Sequence, residues 1–273
     1  MTAITTDAED ASTYSFSNTA RDGEQLDLLG EILDGHSIDV LTRAGIAAGW
    51  RCLDVGPGGG SLTTWMAEQV GPTGHVTALD LETHLLTPRE NLTIVKGDVR
   101  TTALPDGLDL GHFRQVNVHL AERIDVLDKT VAALKPGGLL VTTDWDATAP
   151  RRTLVWVRGG NAAQAFHAFQ ATFLSILEDN GADLGWAHRA PIAFTEAGLV
   201  DVEATVHSRL WAGGTAGCLL HVSNSLQLED QLIARGMTLE QLEVFRAAMR
   251  DPQTLIYGYE TVTTTGRRPL QHT

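Results

Sequence analysis

"CLDVGPGGGSLTTW", residues 52–65, sets Gly56-Pro57-Gly58-Gly59-Gly60 between an apolar run and a helical pattern. A main chain without side chains, at the point where a strand turns into a helix, lets a ligand lie directly on the backbone. Outward from this turn the pattern alternates. "WRCLDV" reads as a strand, Leu62 to Val70 as a helix, and "HVTALDL", "LTIVKGDV" and "DLGHFRQV" as three further strands. A helix over Arg123 to Leu134 stops at "KPGG" (135–138), and "LLVTTDWD" is a fifth strand. Strands alternating with helices over residues 46–146 need crossover connections. They therefore predict an open, mostly parallel sheet with its ligand at the carboxyl ends of the strands.

Upstream, Leu26, Leu29 and Leu33 recur at helical spacing, and Ser37 opens a second short helix that Gly45 ends, so two helices precede the glycines. Downstream of Asp146 the rhythm changes. Ala162, Ala165, Phe166, Phe169, Phe173 and Leu177 mark a long helix over 161–180 ended by Gly181, and "FTEAGLVDVEATVHS" gives a helix end at Gly198 and a sixth strand. Residues 216–250 return to helix, with capping-box spacing at Thr238 and Gln241 and a stop at Pro252. "TLIYGYETVTTTG" closes the chain as a strand. The expected fold is α/β: a Rossmann-like, seven-stranded, mostly parallel sheet with helices on both faces. A loose tail (1–13) and an N-terminal helical cover (14–45) precede a core (46–273), which carries helical lid insertions at about 151–190 and 211–250.

The 273 residues are 43% hydrophobic, enough for a sizeable core, and carry a formal charge of −14 without a run of lysines or arginines. A chain that tracks nucleic-acid phosphates is poorly served by that balance. Cys52 and Cys218 lie far apart, which argues against a disulfide framework, and the scattered histidines and carboxylates show no metal-ligand spacing. "MTAITTDAEDAST" has no signal-peptide pattern and no stretch has membrane-span length, so the expectation is a soluble, cytoplasmic protein without metal. A homo-oligomer stays open.

Three ligand classes use a glycine-rich strand-to-helix turn. A nucleoside triphosphate needs Gly-Lys-Ser/Thr five residues after the first glycine, but Ser61 stands there and no lysine follows. A dinucleotide needs glycine or alanine at 61, again occupied by serine. What remains is G-x-G-x-G with Asp54 two residues before it. "LDVGPGGGS" resembles the first motif of class I S-adenosylmethionine-dependent methyltransferases. The resemblance implies S-adenosylmethionine as cofactor and S-adenosylhomocysteine as its product, with Asp54, Gly56, Pro57, Gly58, Gly60 and Ser61 at the methionine and ribose end. Asp80, 20 residues beyond Gly60, stands with Leu81 where the ribose hydroxyls would be accepted, and Asp98 with Val99 where the adenine would lie. Asp80 and Asp98 also suit a plain strand-end or turn carboxylate.

"HLAERIDVLDKTVAALKPGGLLVTTDWD" resembles the block after the cofactor site in the subset that includes ubiquinone and menaquinone methyltransferases and bacterial natural-product enzymes. "YSFSNTARDGEQLDLL" resembles the cover segment of that subset, which makes Tyr14 a candidate to close over the cofactor or, equally, an aromatic staple. No Asn/Asp-Pro-Pro-aromatic motif follows the fourth strand, which argues against methylation of exocyclic amines on bases.

Methyl transfer from a sulfonium is an in-line displacement, so placing the reactants and excluding water matter most. The methyl is expected near "HFRQVNVHL", where His112 and Arg114 share a strand face and Asn117 and His119 follow. His119 is a candidate base or a helix-start hydrogen-bonding residue, and Asp144 is the second candidate base. Arg114 is a cofactor or acidic-substrate anchor, or an ordinary ion-pair partner. His112, Asn117, Trp145 and Phe169 are candidate substrate contacts, although an aromatic stripe at helical spacing also suits a core. The leading expectation is methyl transfer to a small, mostly apolar metabolite, natural-product or quinone-like, on oxygen ahead of carbon or nitrogen. Two alternatives stay open: non-methylating chemistry such as a cyclisation that uses the sulfonium electrostatically, and a non-catalytic binding protein on the same fold.

Overall fold

In the computed structural model, which describes residues 22–148 and 153–270, helix α1 (Asp22–Ala44) leads into strand β1 (Arg51–Val55), and the glycine turn delivers the chain to α2 (Ser61–Val70). Strands β2 (His75–Asp80), β3 (Leu92–Lys96) and β4 (Leu108–Arg114) follow, then a 3₁₀ turn (Asn117–His119), α3 (Arg123–Ala133) and β5 (Leu134–Asp146). Next come β6 (Leu154–Trp156), α4 (Gly160–Asp179), α5 (Trp186–Glu196), β7 (Val200–His207) and β8 (Leu210–Ala212). Helices α6 (Ala216–Gln227), α7 (Glu229–Ala234) and α8 (Leu239–Arg250) precede β9 (Leu255–Tyr257) and β10 (Glu260–Arg267). The tail over 1–13 and Tyr14 lie outside the described residues.

Seven strands form the main sheet in the order β3-β2-β1-β4-β5-β10-β7. β1 pairs in parallel with β2 and β4, while β10 runs antiparallel between β5 and β7. The order reverses between β1 and β4, the place where an open α/β sheet leaves a crevice at its carboxyl edge. The period of two assigns the strand residues to opposite faces. Cys52 packs with Val40 and Leu41 of α1 and Leu62 and Met66 of α2, whereas Leu53 packs with Val126 and Leu127 of α3 and Phe194 of α5. A third core is mainly helical and reaches the end of β5 at Trp145. Phe166, Phe169 and Phe173 of α4 meet Cys218 and Val222 of α6 and Phe245 and Met249 of α8, forming a helical cap stitched by the small sheet β6-β9-β8.

Three expectations change. The two leading helices are one, because Ser37 is buried in mid-helix, where its hydroxyl lies 3.4 Å from Arg114, instead of capping a new start. Gly45, at φ 88°, does end it. The stretch 151–190 is not all lid: α5 begins at Trp186 and packs Ala190 and Phe194 onto the sheet. The closing strand is broken in two at Gly258, where a side chain would collide with the Trp211 indole, so β9 joins the small sheet and β10 the large one. The capping box at Thr238 and Gln241 is present with both of its hydrogen bonds.

Candidate functional site

Gly56, Gly58 and Gly60 have φ of 66°, 58° and 77°, in the left-handed region that disfavours a side chain. A Cβ on Gly56 would lie 2.3 Å from Val116, on Gly58 2.8 Å from Leu26, and on Gly60 2.7 Å from Leu86. Gly59 has neither constraint, its nearest neighbour being 3.6 Å away. The alternate spacing is thus the part of the glycine run that the turn demands. Helix α1 lies so close that Leu26 rests against Gly58, which makes the cover part of the turn's own packing.

Beside the turn opens a cavity of about 710 Å³, lined by Pro57, Gly58, Gly59 and Ser61, by the ends of β2 and β4, and by Leu26 and Leu29 of α1. Its walls include Asp80, Leu81, Asp98, Val99, Arg114 and His119. Asp80 accepts hydrogen bonds from the Gly58 N–H (3.2 Å) and the Glu82 N–H (3.1 Å). Burial pushes its pKa above the usual carboxylate value, against the pull of those N–H groups. Asp98 is held by Arg100 through the backbone N–H (2.8 Å), Nε (2.9 Å) and Nη2 (2.6 Å), and the guanidinium keeps its pKa below the ordinary range. Arg100 also reaches Glu122 at 3.6 Å, and both line the cavity.

The remaining candidates divide by side-chain direction. Asp54 does not line the cavity; it is buried, accepting from His112 Nδ1 at 2.8 Å and Thr63 Oγ1 at 2.5 Å. His112, expected to face substrate, instead ties β4 to β1, because the register sets it opposite Asp54. Arg114 lines the cavity and pairs with Asp34 of α1 at 2.6 Å, so it also tethers the cover. Asn117 is buried in the 3₁₀ turn and faces away from the cavity. His119 stands on the wall at the end of that turn, where burial and the nearby Arg123 lower its pKa to about 4. Asp144 lies behind the turn, accepting from the Val118 N–H at 3.3 Å, and burial raises its pKa to about 7. The loop between α4 and α5 braces the same turn, as the Asp183 N–H donates to the Val118 carbonyl at 2.8 Å and the Asp183 carboxylate pairs with Arg123 at 3.1 Å.

Trp145 sits behind the cavity wall, its indole N–H donating to Thr261 at 2.9 Å. Phe169 is a core side chain of the cap, stacked 4.1 Å from the Phe245 ring, away from the cavity. Among the lining residues that the sequence reading did not single out are Gln115 and Gln25. Gln115 adopts φ 56°, rare outside glycine, and Gln25 of α1 donates to Asn224 of α6 at 2.8 Å, joining cover to cap. An ordinary strand-end glutamine carries no signal of left-handed backbone.

Residues 53–142 match the family profile described as a methyltransferase domain. The ubiquinone/menaquinone biosynthesis C-methyltransferase of Pseudomonas fluorescens is 27% identical over 171 residues, 55% of this chain and 62% of that protein. An arsenite methyltransferase of Halobacterium salinarum is 30% identical over 152 residues, 49% of this chain and 38% of that protein. The chain thus spans about two-fifths to three-fifths of the length of these relatives. Among solved structures, a Haemonchus contortus phosphoethanolamine N-methyltransferase in complex with phosphomonomethylethanolamine and S-adenosylhomocysteine shares the fold, with a TM-score of 0.57. Identity there is 14%, and the alignment covers 93% of this chain and 59% of that one. Among the described residues no helix is long and apolar enough to cross a membrane.

Proposed function

We propose that the chain is a class I S-adenosylmethionine-dependent methyltransferase that transfers the methyl group to an oxygen of a small, mostly apolar metabolite, natural-product or quinone-like, a reading supported by the methyltransferase-domain match and the methyltransferase relatives. The observation that carries the reading is the cavity itself, where a bare glycine turn and two strand-end carboxylates, Asp80 and Asp98, line one space. The donor set suits the cofactor. Asp80 is a half-buried carboxylate whose hydrogen bonds come from backbone N–H groups, so hydroxyl donors from a ribose would stabilise its charge. Leu81 and Val99 offer apolar surface to an adenine, and Asp98 an acceptor to its amino group. The main chain from Gly56 to Gly59, with Ser61, leaves room for the methionine part, and Arg114 suits its carboxylate, while Gly60 faces Leu86 and serves the turn instead.

When bound, S-adenosylmethionine supplies an electrophilic methyl on a sulfonium. The chain's own task is then alignment and exclusion of water. α1 covers the cavity from one side, anchored by Arg114–Asp34 and Gln25–Asn224, and Asp179 to Gly181 at the end of α4 line another part of its wall. Of the two candidate bases, His119 is the one on the cavity wall, and its low pKa keeps the imidazole neutral at pH 7, which suits orienting an acceptor hydroxyl better than holding its proton. Asp144 acts through the turn that carries His119, by holding Val118. The apolar side chains that line the cavity, among them Leu26, Leu29, Leu33 and Leu120, suit a small uncharged molecule better than RNA, DNA or a charged peptide.

Calorimetry tests the premise directly. S-adenosylhomocysteine is expected to bind near neutral pH, and Asp80→Ala to weaken it by about tenfold or more, the worth of one charge-assisted hydrogen bond. Unchanged affinity in that variant, or no binding by the wild-type protein, would sink the assignment. Turnover against a panel of phenols and quinols should release S-adenosylhomocysteine one-for-one with methylated product.

A further inference from the structure

Helix α1 lines the cavity with Gln25, Leu26, Leu29 and Leu33, and one turn further along it meets the sheet through a histidine. The His36 imidazole stacks on that of His207, at the end of β7, with ring centroids 5.0 Å apart and planes 15° from parallel. Its Nε2 lies 2.9 Å from the Thr263 hydroxyl of β10. Both histidines are half-buried. One imidazole pair thus joins the helix that covers the cavity to β10 and β7, the two strands at one edge of the main sheet.

The charges that act on His36 are of one sign with a single exception. Burial lowers its pKa, and His207, Arg43 of α1 and Arg209 beyond β7 press in the same direction, while Asp39 of α1 opposes them. Two neutral imidazoles stack face to face without penalty. A proton on each would set like charges about 5 Å apart where two guanidiniums already contribute positive potential.

We propose that the His36–His207 stack is a proton-sensitive clasp on the cover helix, closed near neutral pH and loosened in mild acid. The closed pair refuses protons that the separated rings would take up, so a fall in pH favours separation. The cavity feels the change directly, because Leu33 on its wall stands one turn before His36, and Leu26, two turns before that, rests against Gly58. Arg114–Asp34 and Gln25–Asn224 keep the helix attached, so acid loosens the cover without releasing it. The effect on the cofactor rests on the methyl-transfer reading of the cavity, whereas the clasp itself does not.

The test uses the full chain at pH 7.5 and pH 5.5, two values that bracket the ordinary imidazole pKa, as wild type, His36→Phe and His207→Phe. Phenylalanine keeps a ring in the stack and removes the proton site. Backbone hydrogen exchange in α1, corrected for the intrinsic effect of pH, is expected to speed up by about threefold to tenfold in the wild type at the lower pH, and by less than about twofold in either variant. S-adenosylhomocysteine affinity, read by calorimetry, should fall by roughly threefold or more further in the wild type than in the variants over the same interval. The same change of α1 exchange in all three proteins would overturn the clasp, whether or not the ligand binds. Faster exchange with the same affinity change in all three would overturn its control of the cavity. Failure of the wild-type chain to bind S-adenosylhomocysteine at either pH would remove the cofactor reading and leave the clasp to be decided by exchange.

Discussion

At the end of β1 the buried Asp54 carboxylate has both oxygens satisfied, one by His112 and the other by Thr63, and both partners come from elements that flank the glycine turn. In the cap, His221 and Gln170 are as deeply buried, yet each leaves a nitrogen unpaired. The first arrangement spends its polar groups on the protein itself, locking β4, β1 and α2 into one frame beside which the cavity opens. The second leaves two polar atoms unpaired inside an apolar shell, at a cost to stability. A frame that must present the same backbone to a cofactor on every cycle gains from internal satisfaction.

The sharpest way to break the frame is at a glycine. Gly56→Ala combines a left-handed φ with a 2.3 Å approach to Val116, so it is expected to lower stability by roughly 3 kcal/mol or more and to abolish measurable S-adenosylhomocysteine binding. Gly59→Ala, with ordinary φ and 3.6 Å of room, should leave both within about twofold or a few tenths of a kcal/mol. Calorimetry and urea melts on the two variants give the contrast. Next in size is His112→Leu, which leaves one oxygen of the buried Asp54 unpaired. A loss of about 2–3 kcal/mol in urea denaturation is expected, whereas the same change at a substrate contact would leave stability nearly untouched.

The smallest effect is in pH. Burial holds His119 and His221 near pKa 4, below the ordinary 6.5, so as pH falls the unfolded chain takes up protons that the folded chain refuses, and stability drops. Asp144, raised to about 7, works in the opposite sense, since its folded form takes up the proton first and gains stability as pH falls. The contribution of His221 is isolated by comparing wild type with His221→Phe. The variant should lose about 1 kcal/mol less stability between pH 7 and pH 5.5, as read from urea melts at the two values. Identical slopes would mean that His221 is not held neutral by burial.

The sheet was legible because its signals are local. Alternating apolar runs, the G-x-G-x-G spacing and the strand-end aspartates each state their role within a few residues, and the main sheet has the order such a pattern requires. Where the reading slipped, the deciding contact was distant. Ser37 has the chemistry of a helix cap, but packing against Arg114 from β4 keeps α1 continuous. His112 shares its strand face with Arg114, yet the first ends on Asp54 and the second on Asp34, because different elements cover that face. Phe169 looks the same in sequence whether it walls a pocket or fills a core. Only the stacking on Phe245, 76 residues later, makes it core.

The sequence alone determined the alternation of strands and helices, the bare turn and the positions of Asp80 and Asp98, because period and backbone conformation are properties of neighbouring residues. The tertiary structure alone decided which polar groups spend themselves inside the protein and which stay unmet. Gln115, Gln170, His221 and Tyr259 come from a strand end, two cap helices and a loop between two sheets, and no spacing links them. A hydrogen bond is satisfied or not by atoms within about 3 Å, and those atoms are brought there by the fold, whatever their distance along the chain.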